Sequence, residues 1–135
     1  MLVLFYECYL VLSKILMEKA FVKQALNNTE IIEKDRAKVT KIVYGVLDKN
    51  IELDYYISSL CSKSPKNSIK IVLKIALYNL KYLNKKPYAV TDASVGLLKK
   101  MGKGGTAGFV NAVLRKFSQG NIELPKNEID YLSIK

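Results

Sequence analysis

The stretch NSIKIVLKIALYNLKYL, residues 67–83, decides the fold. Its apolar residues Ile69, Val72, Leu73, Ala76, Leu77 and Leu80 fall at three- and four-residue spacing, the period of one helix face. Ser64-Pro65 marks a break before it, because the residue preceding proline avoids helical geometry. The same stretch carries a second row. Lys66, Lys70 and Lys74 repeat at four residues, Tyr78 follows one turn later, and Lys81 and Lys85 continue the face. Such a row can track a phosphate backbone while the tyrosine stacks on an unpaired base. The competing reading is a solvated face on a lysine-rich protein. The missing acids in the same helix count against it, since Glu–Lys pairs usually decorate a merely soluble helix.

Outward from this helix, the same periodicity runs through nearly the whole chain. It predicts further helices over 2–19, 21–26, 30–48, 51–61, 87–101 and 107–118. Asn27, with Glu30 three residues on, reads as a capping box ahead of the third helix, and Asn50 as the cap of the fourth. Pro87 suits a first helical turn, Thr106 caps the last core helix, and Gly120 ends it. Residues 121–126 read as extended, and Asn127 as the start of a last short helix. No run reads as a strand, and seven glycines and three prolines are too few to punctuate an all-β chain. Half of the 135 residues are apolar, enough for the core of one domain. The expected architecture is all-α, a compact bundle of about seven helices with its domain over 1–120 and a linker beginning at 121–135.

The net charge of +10 is segregated. Residues 1–60 hold eight basic and eight acidic residues, whereas 61–120 hold twelve basic residues and one acid, Asp92. The last fifteen residues hold two basic and three acidic ones. Segregated charge builds a local field that attracts polyanions, with strongly salt-dependent binding. The candidate nucleic-acid contacts are Lys66, Lys70, Lys74, Tyr78, Lys81, Lys85, Lys99, Lys100, Lys103, Arg115 and Lys116. On this reading, changing Lys70, Lys74 and Lys81 to Glu weakens RNA binding. Lys74→Ala leaves stability nearly untouched, whereas Leu77→Ala costs on the order of 2–5 kcal/mol.

Several function classes drop out. The chain has no histidine, so it lacks the usual general base and the commonest metal ligand. Cys8 and Cys61 stand alone and read as small buried side chains, neither a disulfide framework nor a zinc site. The apolar start MLVLFYECYLVL lacks a basic lead-in, is interrupted by Glu7, and is too short to span a bilayer, so it reads as a core helix. The loop Gly102-Lys103-Gly104-Gly105-Thr106 departs from the phosphate-loop spacing and follows a helix. It is either a glycine turn or a helix start whose free N–H groups, beside Lys103, hold one phosphate. Glu30, Glu33 and Asp35 complement a helix dipole. Only two of the 22 basic residues are arginines. Arg36 reads as structural, and Arg115 either grips phosphate or binds a carboxylate or helix C-terminus within the fold. Asn111, inside the apolar run 109–114, is expected to bond between helices. No catalytic residue, metal ligand or nucleotide site is read in the chain.

The segment GFVNAVLRKF, 108–117, resembles the helix that closes the NusB-like domain of the Sun/RsmB family, the 16S rRNA cytosine-C5 methyltransferases. Other pieces agree in order: DRAKVTKIVYGVL at 35–47, ELD at 52–54, VLKIALYNLKYL at 72–83 and KKPYAVTDASVGLLKK at 85–100. The resemblance extends over 13–135 and implies a cytoplasmic accessory module that positions ribosomal RNA for a downstream catalytic domain of its own protein. That domain, absent here, would bind S-adenosylmethionine; the module itself would have no cofactor, metal, membrane partner or methyltransferase activity. DYLSIK at the end resembles the linker before it. The family's arginine-rich opening is missing, and Asp92 stands where the family usually has Glu. The alternatives are a free-standing NusB-like transcription antitermination factor and a protein-interaction module without RNA binding. Arg115 after Asn-Ala-Val-Leu and the tail to Lys135 favour the methyltransferase.

Overall fold

The computed structural model describes residues 1–120. The extended run, short helix and linker expected over 121–135 lie outside the described residues. The helices are α1 (Leu2–Leu16), α2 (Val22–Asn27), α3 (Arg36–Asp48), α4 (Asn50–Leu60), α5 (Asn67–Lys81), α6 (Pro87–Lys100) and α7 (Ala107–Ser118). Two single 3-10 turns, Glu33–Asp35 and Gly104–Thr106, lead into α3 and α7. No strand occurs among the described residues, and the all-α bundle stands as expected.

α5 is the axis of the bundle. It packs against α1, α3, α4, α6 and α7, and every residue over 71–79 is buried. Its apolar stripe is therefore not the whole of its inner surface. Ile71 and Ile75 lie off that stripe and widen it, so that the lysine row is the one interruption of an otherwise apolar helix surface. The surrounding helices each use one face. α1 buries Leu4, Phe5, Cys8, Val11 and Leu12, so the apolar start is a core helix. No helix among the described residues is long and apolar enough to cross a membrane. α7 buries Val110, Val113 and Leu114, spaced three and four apart, and turns Phe109 outward. Cys8 and Cys61 are both free thiols, and burial pushes each above its usual range.

Two glycines set the geometry around α5. A Cβ at Gly45 would land on the Tyr78 ring, so α3 and α5 meet there only because that position has no side chain. At the end of α6, Gly102 takes φ +74. The Lys103 N–H donates to Leu98 O at 2.8 Å and the Gly102 N–H to Lys99 O at 3.1 Å, the paired closure of a helix on a left-handed glycine.

The expected caps are corrected. Asn27 ends α2 instead of opening α3, and its Oδ1 accepts from Arg36 Nη2 at 3.3 Å, the structural role read for that arginine. Lys49, not Asn50, precedes α4. Thr106 makes no side-chain cap, because its hydroxyl donates back to Lys103 O at 2.7 Å. Each of these short polar side chains has found a partner other than the helix N–H groups it was expected to serve.

Candidate nucleic-acid interface

The lysine row of α5 is not one open face. It runs beneath α4 and α3, and its middle is used there. Lys74 is buried, with its side chain 8% exposed. Its ammonium lies 3.0 Å from the Asp54 carboxylate and donates to Asn50 Oδ1 at 2.7 Å. Tyr78 is buried against Gly45, with its ring centroid 5.3 Å from that of Tyr82. Lys81 donates to the Tyr56 hydroxyl, lies 3.5 Å from the Glu52 carboxylate, and sits 4.6 Å from the Tyr56 ring centroid. Glu52 also accepts from the Tyr82 hydroxyl, and burial followed by that carboxylate pushes the phenol above its usual range. The acids that balance these lysines come from Glu52 and Asp54 on α4, not from α5. Tyr78 therefore offers no ring for a base, and Lys74 is a structural cation. The same geometry counts against the expectation that Lys74→Ala is nearly neutral, since the change would remove the donor that Asp54 and Asn50 share.

The ends of the row behave differently. Lys66, just before α5, is exposed and lines a cleft with Lys63 and Lys103. The cleft, about 530 Å³, lies between the chain leading into α5 and the glycine loop ahead of α7. Pro65, Ile69 and Phe109 form its apolar side, and Phe109 is 41% exposed. Gly105 also lines it, and a Cβ there would meet nothing within 4 Å, so the loop leaves the mouth open. Among the described residues, no acid lines this cleft. The helix closure at Gly102 aims the chain so that Lys103 joins two lysines nearly forty positions earlier. An apolar wall with an aromatic ring, under a rim of ammonium groups, matches a nucleotide: a base on the wall and a phosphate at the rim.

The remaining candidates scatter. Lys99 is exposed and lies beside the glycine loop, its Cγ 3.5 Å from where a Gly104 Cβ would stand. Lys100, also exposed, holds its ammonium 4.8 Å from the Tyr6 ring centroid on α1. Lys70 is half-buried in a separate hollow with Asp54 and Cys61. Lys85 lies at the far side with Asp35 and Lys38. Arg115 and Lys116 are exposed at the end of α7. Asn111 was expected between helices, but it is exposed, because positions 110, 113 and 114 take the inward face. It lines a groove between α6 and α7 with Arg115. Asp35 stands at the start of α3, where the helix dipole was read for it, and is also buried near Glu7, whose Oε2 accepts from the Ile32 N–H at 2.6 Å.

Sequence reasoning missed Lys63, Pro65, Ile69 and Phe109 as a wall and rim. The signal for Phe109 was present: it is a large aromatic residue off the inward period of its own helix. Among the described residues, no group of three acids or cysteines is placed to hold a metal.

Comparison with known proteins adds a second line. The profile of the NusB family matches residues 4–119. Over 103 residues the chain is 32% identical to the probable ribosomal RNA small subunit methyltransferase B of Bacillus subtilis (strain 168), covering 74% of this chain and 23% of that protein. The corresponding protein of Synechocystis is 32% identical over 114 residues, 81% of this chain and 25% of the relative. The transcription antitermination protein NusB of Ruminiclostridium cellulolyticum is 32% identical over 116 residues, 81% of this chain and 80% of the relative. The chain thus spans about a quarter of the methyltransferases it matches and most of the antitermination protein.

Proposed function

Because the chain belongs to the NusB family, we propose that it is an RNA-binding module holding single-stranded RNA across the cleft of Lys63, Lys66, Lys103 and Phe109. The carrying observation is that three lysines, with no acid among the described lining residues, rim an apolar wall bearing a half-exposed aromatic ring. Each phosphate neutralised there releases counterions, so affinity falls steeply as salt rises. The test is a titration of a single-stranded RNA at several salt concentrations. Changing Lys63, Lys66 and Lys103 together to Glu should lower affinity by roughly 100-fold and flatten the salt slope, with melting temperature unchanged. RNA binding indifferent to salt and to all three changes sinks the assignment.

Relatives of both kinds match the chain at 32% identity, so the antitermination role stands beside the methyltransferase role first expected. The matched region amounts to 80% of the Ruminiclostridium antitermination protein but 23% of the Bacillus methyltransferase. The methyltransferase reading keeps one specific support, the resemblance of the segment ending in Asn111-Ala112-Val113-Leu114-Arg115 to that family's closing helix. In that reading the RNA is ribosomal, and S-adenosylmethionine and the chemistry belong to a domain outside these residues. Deleting the gene separates the two: loss of read-through at a terminator reporter marks the first, and loss of methylcytosine from small-subunit rRNA marks the second.

A further inference from the structure

The groove between α6 and α7 lies at the opposite end of that helix pair from the lysine cleft. It is about 590 Å³ and uses the first turns of α6 and the last turns of α7. Tyr88 and Asp92 stand four residues apart on α6, and Asn111 and Arg115 stand four apart on α7, so each pair shares a helix face. Leu114, buried, forms the floor. Tyr88 is 84% exposed, a ring that contributes almost nothing to the core. Asp92 is the one acid among residues 61–120. It forms no ion pair with Arg115 or any other cation among the described residues, although Arg115 lines the same groove.

A lone carboxylate on a surface built for phosphate is a liability, because it repels the backbone that its neighbours attract. It suits a ligand group that presents donors. Among the four RNA bases, guanine alone offers two parallel donors on its Watson–Crick edge, N1–H and N2–H₂, which match the two oxygens of one carboxylate. Its other edge offers the acceptors O6 and N7, the preferred target of an arginine fork. An exposed aromatic ring supplies the stacking face that an unpaired base needs.

We propose that this groove is a nucleobase subsite for an unpaired guanine, with Asp92 accepting from N1–H and N2–H₂, Arg115 and Asn111 donating to the acceptor edge, and Tyr88 stacking. The proposal rests on the RNA-binding reading above and adds base selectivity to it. The lysine cleft supplies affinity without sequence; this groove supplies the choice of base. About 15–20 Å separates the two along α6, from a rise of 1.5 Å per residue, so a short single strand can reach both.

The test uses oligouridine of about seven nucleotides carrying guanosine, inosine or adenosine at its centre, or uridine throughout, titrated against the whole chain by fluorescence anisotropy. The guanosine oligomer should bind about tenfold tighter than the adenosine and uridine ones, with inosine between because it lacks the 2-amino donor. Asp92→Asn gives the sharper reading. It should weaken the guanosine oligomer to the level of the others while leaving oligouridine equal or tighter, since a negative charge has been removed. Asp92 is exposed on one helix face, so an unchanged melting temperature should accompany the loss. Tyr88→Ala should also erase the guanosine advantage. Equal tightening of every oligomer by Asp92→Asn overturns the proposal, as does a wild-type protein blind to the central base. Failure of every oligomer to bind at low salt overturns the RNA reading itself and this subsite with it.

Discussion

Two groups of lysines in the same basic half of the chain have opposite fates. Lys74 and Lys81 lie under α4, each within 3.5 Å of one of its carboxylates. Lys63, Lys66 and Lys103 rim a cleft with no acid in its lining among the described residues. In sequence the first pair looks the better candidate, because it sits in a regular row on a clear helix. In space the regularity is the reason it is used up. A helix that five others surround has little surface left to offer, and its cations survive burial only by meeting acids from the neutral half. The cations that meet no acid among the described residues sit where helices end, open to a partner from outside.

That contrast makes opposite forecasts for one kind of mutation. Lys74→Glu places a carboxylate in a buried position beside half-exposed Asp54 and should destabilise the fold by about 3 kcal/mol, read as a large fall in chemical-denaturation midpoint. The same reversal at the cleft should cost RNA affinity and no stability. Gly45→Ala probes the seam from its other side. The new Cβ displaces the Tyr78 ring, and a loss of about 1–3 kcal/mol with RNA affinity intact is expected in paired melting and binding assays. Phe109→Ala should reduce RNA affinity by about tenfold, measured by anisotropy, and shift the melting temperature little, since the ring is half-exposed. If Phe109→Ala instead unfolds the chain, the wall is core and the contrast collapses.

The smallest effect concerns an acid without a lysine on it. Burial, and then its neighbour Asp35, hold the Glu7 carboxyl above its ordinary value of 4.5, against the opposing backbone bond from Ile32. The protonated form is therefore favoured by the fold. Its stabilisation is fully present below 4.5 and is lost as pH rises through the higher folded value. Glu7→Gln keeps an oxygen for the Ile32 N–H and removes the charge. Its melting temperature should exceed the wild type's near neutral pH, with the gap closing toward about pH 4. A constant gap across that range removes Glu7 from the account.

The fold was legible because periodicity reports packing, and α5, α6 and α7 fall within two residues of their expected bounds. The bundle axis was partly legible: Ile71 and Ile75, beyond the apolar stripe, already showed that the polar face of α5 is narrow. The seam was not, because a lysine carries no mark in the sequence saying which distant acid it meets. Glu52 and Asp54 lie twenty or more positions away, on a helix whose placement depends on the tertiary packing. The cleft was legible by halves. Lys66 and Lys103 were picked out separately as charges, but only the turn at Gly102 brings them together.

The enclosure of α5 also fixes a hierarchy in time. Its peptide hydrogens over 71–79 cannot reach solvent until several neighbouring helices have let go together, so their exchange reports opening of the whole bundle. The glycine loop before α7 has one short 3-10 turn and an open side, and it can breathe without disturbing that axis. A rigid spindle with a pliant edge lets the molecule adjust its grip on a partner while its fold remains closed.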